Sequence, residues 1–181
     1  MPYKENEADV LEKEGFFSDD PADSGGATKY GITESTARAF GYTGPMRDLL
    51  LPMAKQIYKQ RFWDVLHLDE VDVLCPRLAS EMFDTSVNCG PGFAGLSLQR
   101  CLNVLNRGGS DYADVTADSR VGRLTLHALA CFLRVRGEKG ATVLLRMMNA
   151  LQGERYVNLA EKRQKDERFV FSWFANRVVI E

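Results

Sequence analysis

Apolar positions recur at helical spacing along most of this chain, and the pattern breaks in one place near its start. Over residues 5–15, Ala8, Leu11 and Gly15 share one helical face with Val10 beside them. Glu5, Glu7, Asp9, Glu12 and Lys13 lie mostly on the other. The spacing predicts a helix that stops at Gly15, since glycine readily takes the left-handed angles that end a helix. From Phe16 to Ile32 the periodicity fails, and Asp, Pro, Ser and Gly dominate. That composition predicts a long hairpin or irregular sheet turning at Ser24-Gly25-Gly26.

Helical spacing then returns. Thr33 is placed to cap a helix that closes at Gly41. Pro52 fits a first helical turn, and Ala54, Ile57, Tyr58 and Phe62 continue the spacing behind it. Pro76 opens another helix with Leu78, Met82, Phe83 and Val87 facing inward, stopped by Asn88-Cys89-Gly90-Pro91-Gly92. A further helix carries Leu98, Cys101, Leu102 and Leu105. A polar loop over 106–119 precedes helices at about 122–136 and 139–165 and a short Phe/Trp-rich helix at about 168–179. The expected fold class is mainly α (α+β), helical with a small β-hairpin region near the N-terminus.

Composition narrows the picture. At 181 residues and 45% hydrophobic, the chain is long enough for one buried core with a small lobe. The net charge of −2 is unevenly spread. Residues 1–70 carry 8 Lys+Arg against 13 Asp+Glu (net −5), and residues 71–181 carry 15 against 12 (net +3). Residues 120–168 alone carry 11 against 5 (net +6), which describes either solvated helix faces or a basic lobe that approaches an anionic polymer. Nucleic acid is not an expected partner, because the chain is acidic overall and lacks a basic recognition helix. The four cysteines form no CxxC pair and His67 and His127 stand alone, so no metal is expected. No apolar run is long enough to span a bilayer, so no stable membrane insertion is expected. The polar, acidic stretch MPYKENEADV is unlike a signal peptide.

The chemistry concentrates in Glu14 to Ile32. Cleavage of a glycosidic bond needs a protonated carboxylic acid facing a carboxylate or a positioned water across a sugar-sized gap. Glu14 falls in the last turn of its predicted helix, where the macrodipole opposes ionisation by a few tenths to about 1 kcal/mol. Asp19, Asp20 and Asp23 add like charge, and Phe16 and Phe17 can desolvate the site. All three influences push the Glu14 pKa upward, as a general acid requires. Asp23, beside Ser24-Gly25-Gly26, is the candidate partner carboxylate. Thr28 can hold a water, Tyr30 can stack on a sugar, and Asp19 and Asn88 are further candidate substrate contacts. The same Asp-Pro-Ala-Asp-Ser-Gly-Gly stretch also suits a surface turn or a weak calcium loop. Trp63 and Trp173, flanked by apolar residues, read as core anchors rather than sugar platforms.

These residues also match a family. Glu14-Gly15, then Asp19-Asp20-Pro21-Ala22-Asp23 and Gly25-Gly26-Ala27-Thr28-Lys29-Tyr30-Gly31-Ile32-Thr33, resemble the first motif of the N-acetylmuramidases of glycoside hydrolase family 108. Those enzymes are lysozyme-like and common in phages. Phe83-Asp84 with Val87-Asn88 and Gly90-Pro91-Gly92, then Leu98-Gln99-Arg100, resemble its second block. Asp118, Gly122 and Thr125 resemble its peptidoglycan-binding signature, and Trp173, Asn176 and Arg177 its closing helix. The chain departs from the family at Phe16, which replaces a glycine, at Cys89, which replaces a histidine, and at Asp118-Ser119, which replaces Asp-Gly.

The resemblance implies one lysozyme-like muramidase domain over 1–181, with a helical peptidoglycan-binding portion from about 90 to 181 packed on it. It implies an endolysin that cleaves the β-1,4 bond between N-acetylmuramic acid and N-acetylglucosamine and lyses bacterial cells. Glu14 is its catalytic acid, with Asp23 and Thr28 assisting; the related phage lysozymes place an aspartate nine positions after their glutamate, as Asp23 stands here. No cofactor is implied. The expected partner is bacterial peptidoglycan, met by a monomer that gathers in the host cytoplasm and reaches the periplasm and cell wall through holin-made lesions. A lytic transglycosylase acting on the same bond and a noncatalytic cell-wall or secretion-associated module are the competing readings.

Overall fold

The computed structural model describes residues 27–178. The helix expected over 5–15 and the Ser24-Gly25-Gly26 turn lie outside them. The backbone forms two compact units divided between Asp64 and Val65.

In the first unit, Thr28–Lys29 (β1) pairs antiparallel with Ile32–Thr33 (β2), Thr28 opposite Thr33 and Lys29 opposite Ile32. Tyr30 and Gly31 make the connection, both at positive φ, 54° and 68°. A two-residue hairpin needs that pair of angles for its turn to follow the twist of the strands. Tyrosine seldom occupies the left-handed region, so the composition did not advertise a turn here. Thr33 caps the next helix as its position predicts: its hydroxyl accepts from the Thr36 backbone N–H at 3.3 Å, and Glu34–Ala39 (α1) follows. Helix α2, Leu51–Tyr58, has Pro52 in its first turn and buries Ala54, Ile57 and Tyr58.

Beyond Tyr58 the expected α-helical spacing fails. Lys59–Trp63 winds as a π-helical turn, followed by a 3₁₀ turn over Asp64–Leu66. A π turn holds more residues than an α turn and so rotates the inward face along the chain. Trp63, not Phe62, takes the buried position, and Trp63 is the core anchor its apolar neighbours suggest.

The regular structure of the second unit is helical among the described residues. Leu68–Leu74 (α3) was not legible in the sequence: it is short and acidic, and buries only Leu68 and Val71. Pro76–Cys89 (α4) buries Leu78, Met82 and Phe83, but Val87 is only half-buried, and Thr85 and Ser86 are buried instead. Gly90, at φ 91°, ends α4 and starts Pro91–Leu105 (α5), so the breaker cluster reverses the chain in a single residue. Arg123–Lys162 (α6) is broken at Gly137 (φ 57°, ψ −153°) into arms over 123–136 and 138–162, close to the two helices expected. Glu167–Arg177 (α7) closes the described chain.

Helix α4 packs on α3, α5 and α6, and α6 also packs on α5 and α7. Leu98, Leu102, Leu129, Phe132, Leu144 and Met148 are buried among these helices. The loop between α5 and α6 is pinned rather than loose. Asn103 exchanges hydrogen bonds with the Val115 backbone at 2.8 and 2.9 Å, and the Tyr112 hydroxyl donates to the Leu102 carbonyl at 2.8 Å. The fold is thus mainly helical with a two-stranded hairpin near its N-terminal end, as the periodicity predicts. All four cysteines are free thiols.

Candidate functional site

Glu14, Asp19 and Asp23 lie outside the described residues. Thr28 and Tyr30 lie within them: Thr28 on β1, Tyr30 in the turn that follows, both half-buried. The turn is held from two sides. The Tyr58 hydroxyl donates to the Tyr30 carbonyl at 3.0 Å, and the Lys29 ammonium lies 5.3 Å from the Tyr30 ring centroid while donating to the Arg47 carbonyl. The phenol is therefore presented by a short, braced hairpin. That is how a side chain is kept in place on a loop-sized element.

Asn88 belongs to the second unit, in the last turn of α4. Its amide donates to the Asp84 carbonyl at 2.7 Å, one turn back along its own helix.

The most unusual electrostatics in the described residues belong to Glu81 and Asp84, one turn apart on α4. Burial, and then the neighbouring Asp84 charge, push the Glu81 carboxyl from its ordinary 4.5 up to about 7, against hydrogen bonds from Thr85 and Asn149 that favour the ionised form. Asp84 is held from two other elements. Arg177 of α7 donates to it at 2.8 Å, and Gln152 of α6 reaches it at 3.4 Å and the Tyr156 hydroxyl at 2.9 Å. Burial likewise raises the Tyr156 phenol and the Cys89 thiol, Arg155 opposing it in the second case. Sequence reasoning passed over Glu81; the signal was a Glu-x-x-Asp spacing on an otherwise apolar helix face.

Two pairs of separately recognised motif blocks prove to be single contacts. Asp84 of the second block and Arg177 of the closing helix form the ion pair just described. Gln99 of the second block is buried and grips the peptidoglycan-binding signature. Its amide donates to Asp118 and to the Arg120 carbonyl at 3.0 Å and to Thr125 at 3.3 Å, and its oxygen accepts from the Ser119 N–H at 2.9 Å. The Gln99 amide and the Arg120 N–H hold the Asp118 carboxyl below its usual range. Asp118 and Thr125 thus serve the loop's own structure. Among the described residues no group of acidic, histidine and cysteine side chains is arranged to hold a metal ion, and no helix is long and apolar enough to cross a membrane.

Comparison with known proteins adds two matches along the chain. Residues 8–90 match the profile of Glycosyl hydrolase 108, and residues 94–178 match that of a Predicted Peptidoglycan domain. The hydrolase match runs past the division at Asp64 and Val65 and takes in α3 and α4. Among solved structures the chain is similar to Brucella abortus SagA, at 22% identity and a TM-score of 0.62, over 99% of this chain and 97% of that one. That likeness is one of fold. No curated relative matches the chain. With a region that matches Glycosyl hydrolase 108 followed along its length by one that matches a peptidoglycan domain, the chain is a glycoside hydrolase of peptidoglycan.

Proposed function

We propose that this hydrolase cuts the β-1,4 bond between N-acetylmuramic acid and N-acetylglucosamine, with Glu14 protonating the leaving oxygen. The observation that carries the reading is that the hydrolase match begins at residue 8 and so contains Glu14, the glutamate of the motif Glu14 to Thr33. Asp23 activates water or stabilises the oxocarbenium ion, and Thr28 places that water. Tyr30, braced at the hairpin tip, stacks on a sugar, and Asp19 adds a polar contact. Support for the roles of Thr28 and Tyr30 is their position on one short hairpin. The Asn88 amide already donates one N–H along its own helix, which leaves its second N–H and its oxygen for a substrate contact.

Mass spectrometry of digested murein tests the chemistry. The native chain is expected to release disaccharides with reducing N-acetylmuramic acid ends. Glu14→Gln is expected to slow release by about 10²–10⁴-fold, the usual worth of a positioned general acid. Products ending in 1,6-anhydro sugars would assign a transglycosylase instead. Full activity of the Glu14→Gln chain would remove Glu14 from the mechanism.

The biological setting we infer is that of a phage endolysin, acting as a monomer and passing from host cytoplasm to wall through holin lesions. Its support is the resemblance of the first motif to phage enzymes. Expression in a bacterial host is expected to lyse cells only when a holin is co-expressed; lysis without one would overturn this route.

A further inference from the structure

One face of the second arm of α6 takes no part in the core. Leu151, Arg155, Leu159 and Lys162 recur on it at intervals of three and four, with Glu154 and Asn158 in the same stripe. Phe93 and Arg100, seven residues apart on α5, face the same space, and together these side chains line an open cavity of about 300 Å³. That volume lies at the lower end of ordinary ligand sites. Both helices fall within the peptidoglycan match, apart from the first residues of α5.

The charge of this groove is unanswered. Arg100, Arg155 and Lys162 have no carboxylate within ion-pairing distance among the described residues, although Glu154 shares the lining. The Arg155 guanidinium lies 4.7 Å from the Phe93 ring centroid, which fixes its plane. Its charge faces the half-buried Cys89 thiol, yet its Nε is buried with no hydrogen-bond partner in the described structure. A buried cationic donor left unsatisfied is costly, and an anionic ligand would relieve it.

We propose that this groove binds the carboxylate-bearing stem peptide of peptidoglycan. Arg100, Arg155 and Lys162 take its carboxylates, Glu154 takes the free amine of its diamino residue, and Phe93, Leu151 and Leu159 cover its aliphatic stems. The bare glycan cannot satisfy these cations, since N-acetylglucosamine is neutral and the muramic carboxyl is spent in the amide that carries the peptide. A phosphodiester wall polymer would match the cations but be repelled by Glu154. The proposal rests on the reading of the chain as a peptidoglycan hydrolase, and it names the part of the polymer that α5 and α6 hold.

Calorimetry on the full chain tests it with three soluble probes: the reduced disaccharide-tetrapeptide, the same disaccharide stripped of peptide with its freed muramic carboxyl capped as an amide, and the free tetrapeptide. Peptide-bearing probes are expected to bind at least ~10-fold more tightly than the stripped sugar, the worth of about one charge-assisted contact. The double substitution Arg100→Gln with Lys162→Gln is expected to erase most of that preference at an unchanged Tm, both side chains being exposed. Arg100→Lys is expected to keep it, and Glu154→Gln to weaken only probes with a free amine. Equal binding of the stripped sugar, an unaltered preference in the double variant, or stronger competition by a phosphodiester polymer would each overturn the groove. Digestion of intact walls is measured on the same preparations. Wall cutting with no peptide preference sinks the groove alone, and peptide binding without cutting sinks the hydrolase reading alone.

Discussion

Glu81 is the side chain whose surroundings most alter its chemistry. Burial and the Asp84 charge lift its carboxyl to about 7, so the folded chain holds a proton where the unfolded chain, near 4.5, has released it. A native acid with a raised pKa contributes stability that is complete below the unfolded value and is lost as pH climbs through the folded one. Stability of the native protein against thermal unfolding is therefore expected to fall between about pH 4.5 and pH 7–8, by up to roughly 3 kcal/mol from this group. Glu81→Gln keeps a neutral acceptor for Thr85 and is expected to flatten that slope and to raise Tm at pH 8. A slope unaltered in the variant would assign it to other groups. The apolar residues around Glu81 were legible in their spacing. Its pKa was not, because it depends first on burial, which the chain achieves only by folding other helices, α6 among them, against α4.

Among the elements, α5 and the loop preceding α6 approach closely at Gly95. A Cβ added at Gly95 would stand 2.4 Å from the Ser119 carbonyl oxygen, a backbone atom that cannot swing away. The same loop is gripped one turn further along α5 by Gln99. Gly95→Ala is expected to cost about 1–3 kcal/mol through overpacking and to lower Tm by roughly 2–12 °C for a chain of this size. Calorimetry checks this, and an unchanged Tm would mean the loop yields freely. Element starts and stops were readable where one residue's local chemistry sets them: Thr33 as a cap, Pro76 as an opener, and Gly90 within the cluster that stops α4. They were unreadable where the backbone departs from its usual angles without an unusual residue to announce it. The Tyr30-Gly31 turn, the π turn over Lys59–Trp63 and His67 (φ 51°) before α3 are such cases.

Across the whole molecule, charge rather than hydropathy distinguishes one stretch from the next. The +6 carried by residues 120–168 falls almost entirely on α6 and the segment leading to α7. A field of that kind reaches only as far as salt permits: the screening length shrinks from about 30 Å at 0.01 M to about 3 Å at 1 M. Binding of the full chain to purified walls is accordingly expected to weaken by more than ~10-fold between those ionic strengths. Sedimentation with walls at graded salt measures it, and affinity independent of salt would leave the basic stretch as a merely solvated face.

The order of residues alone was enough to specify a helical protein, the places where its main helices begin and break, and the family motif around Glu14, because caps, breakers and periodicity act over a few neighbouring positions. Folding decided which distant residues meet. Asp84 finds Arg177 across 93 positions, Gln99 finds Asp118 and Thr125, and Phe93 finds Arg155. Such meetings depend on how helices pack, and packing is a property of the assembled core that no local window contains.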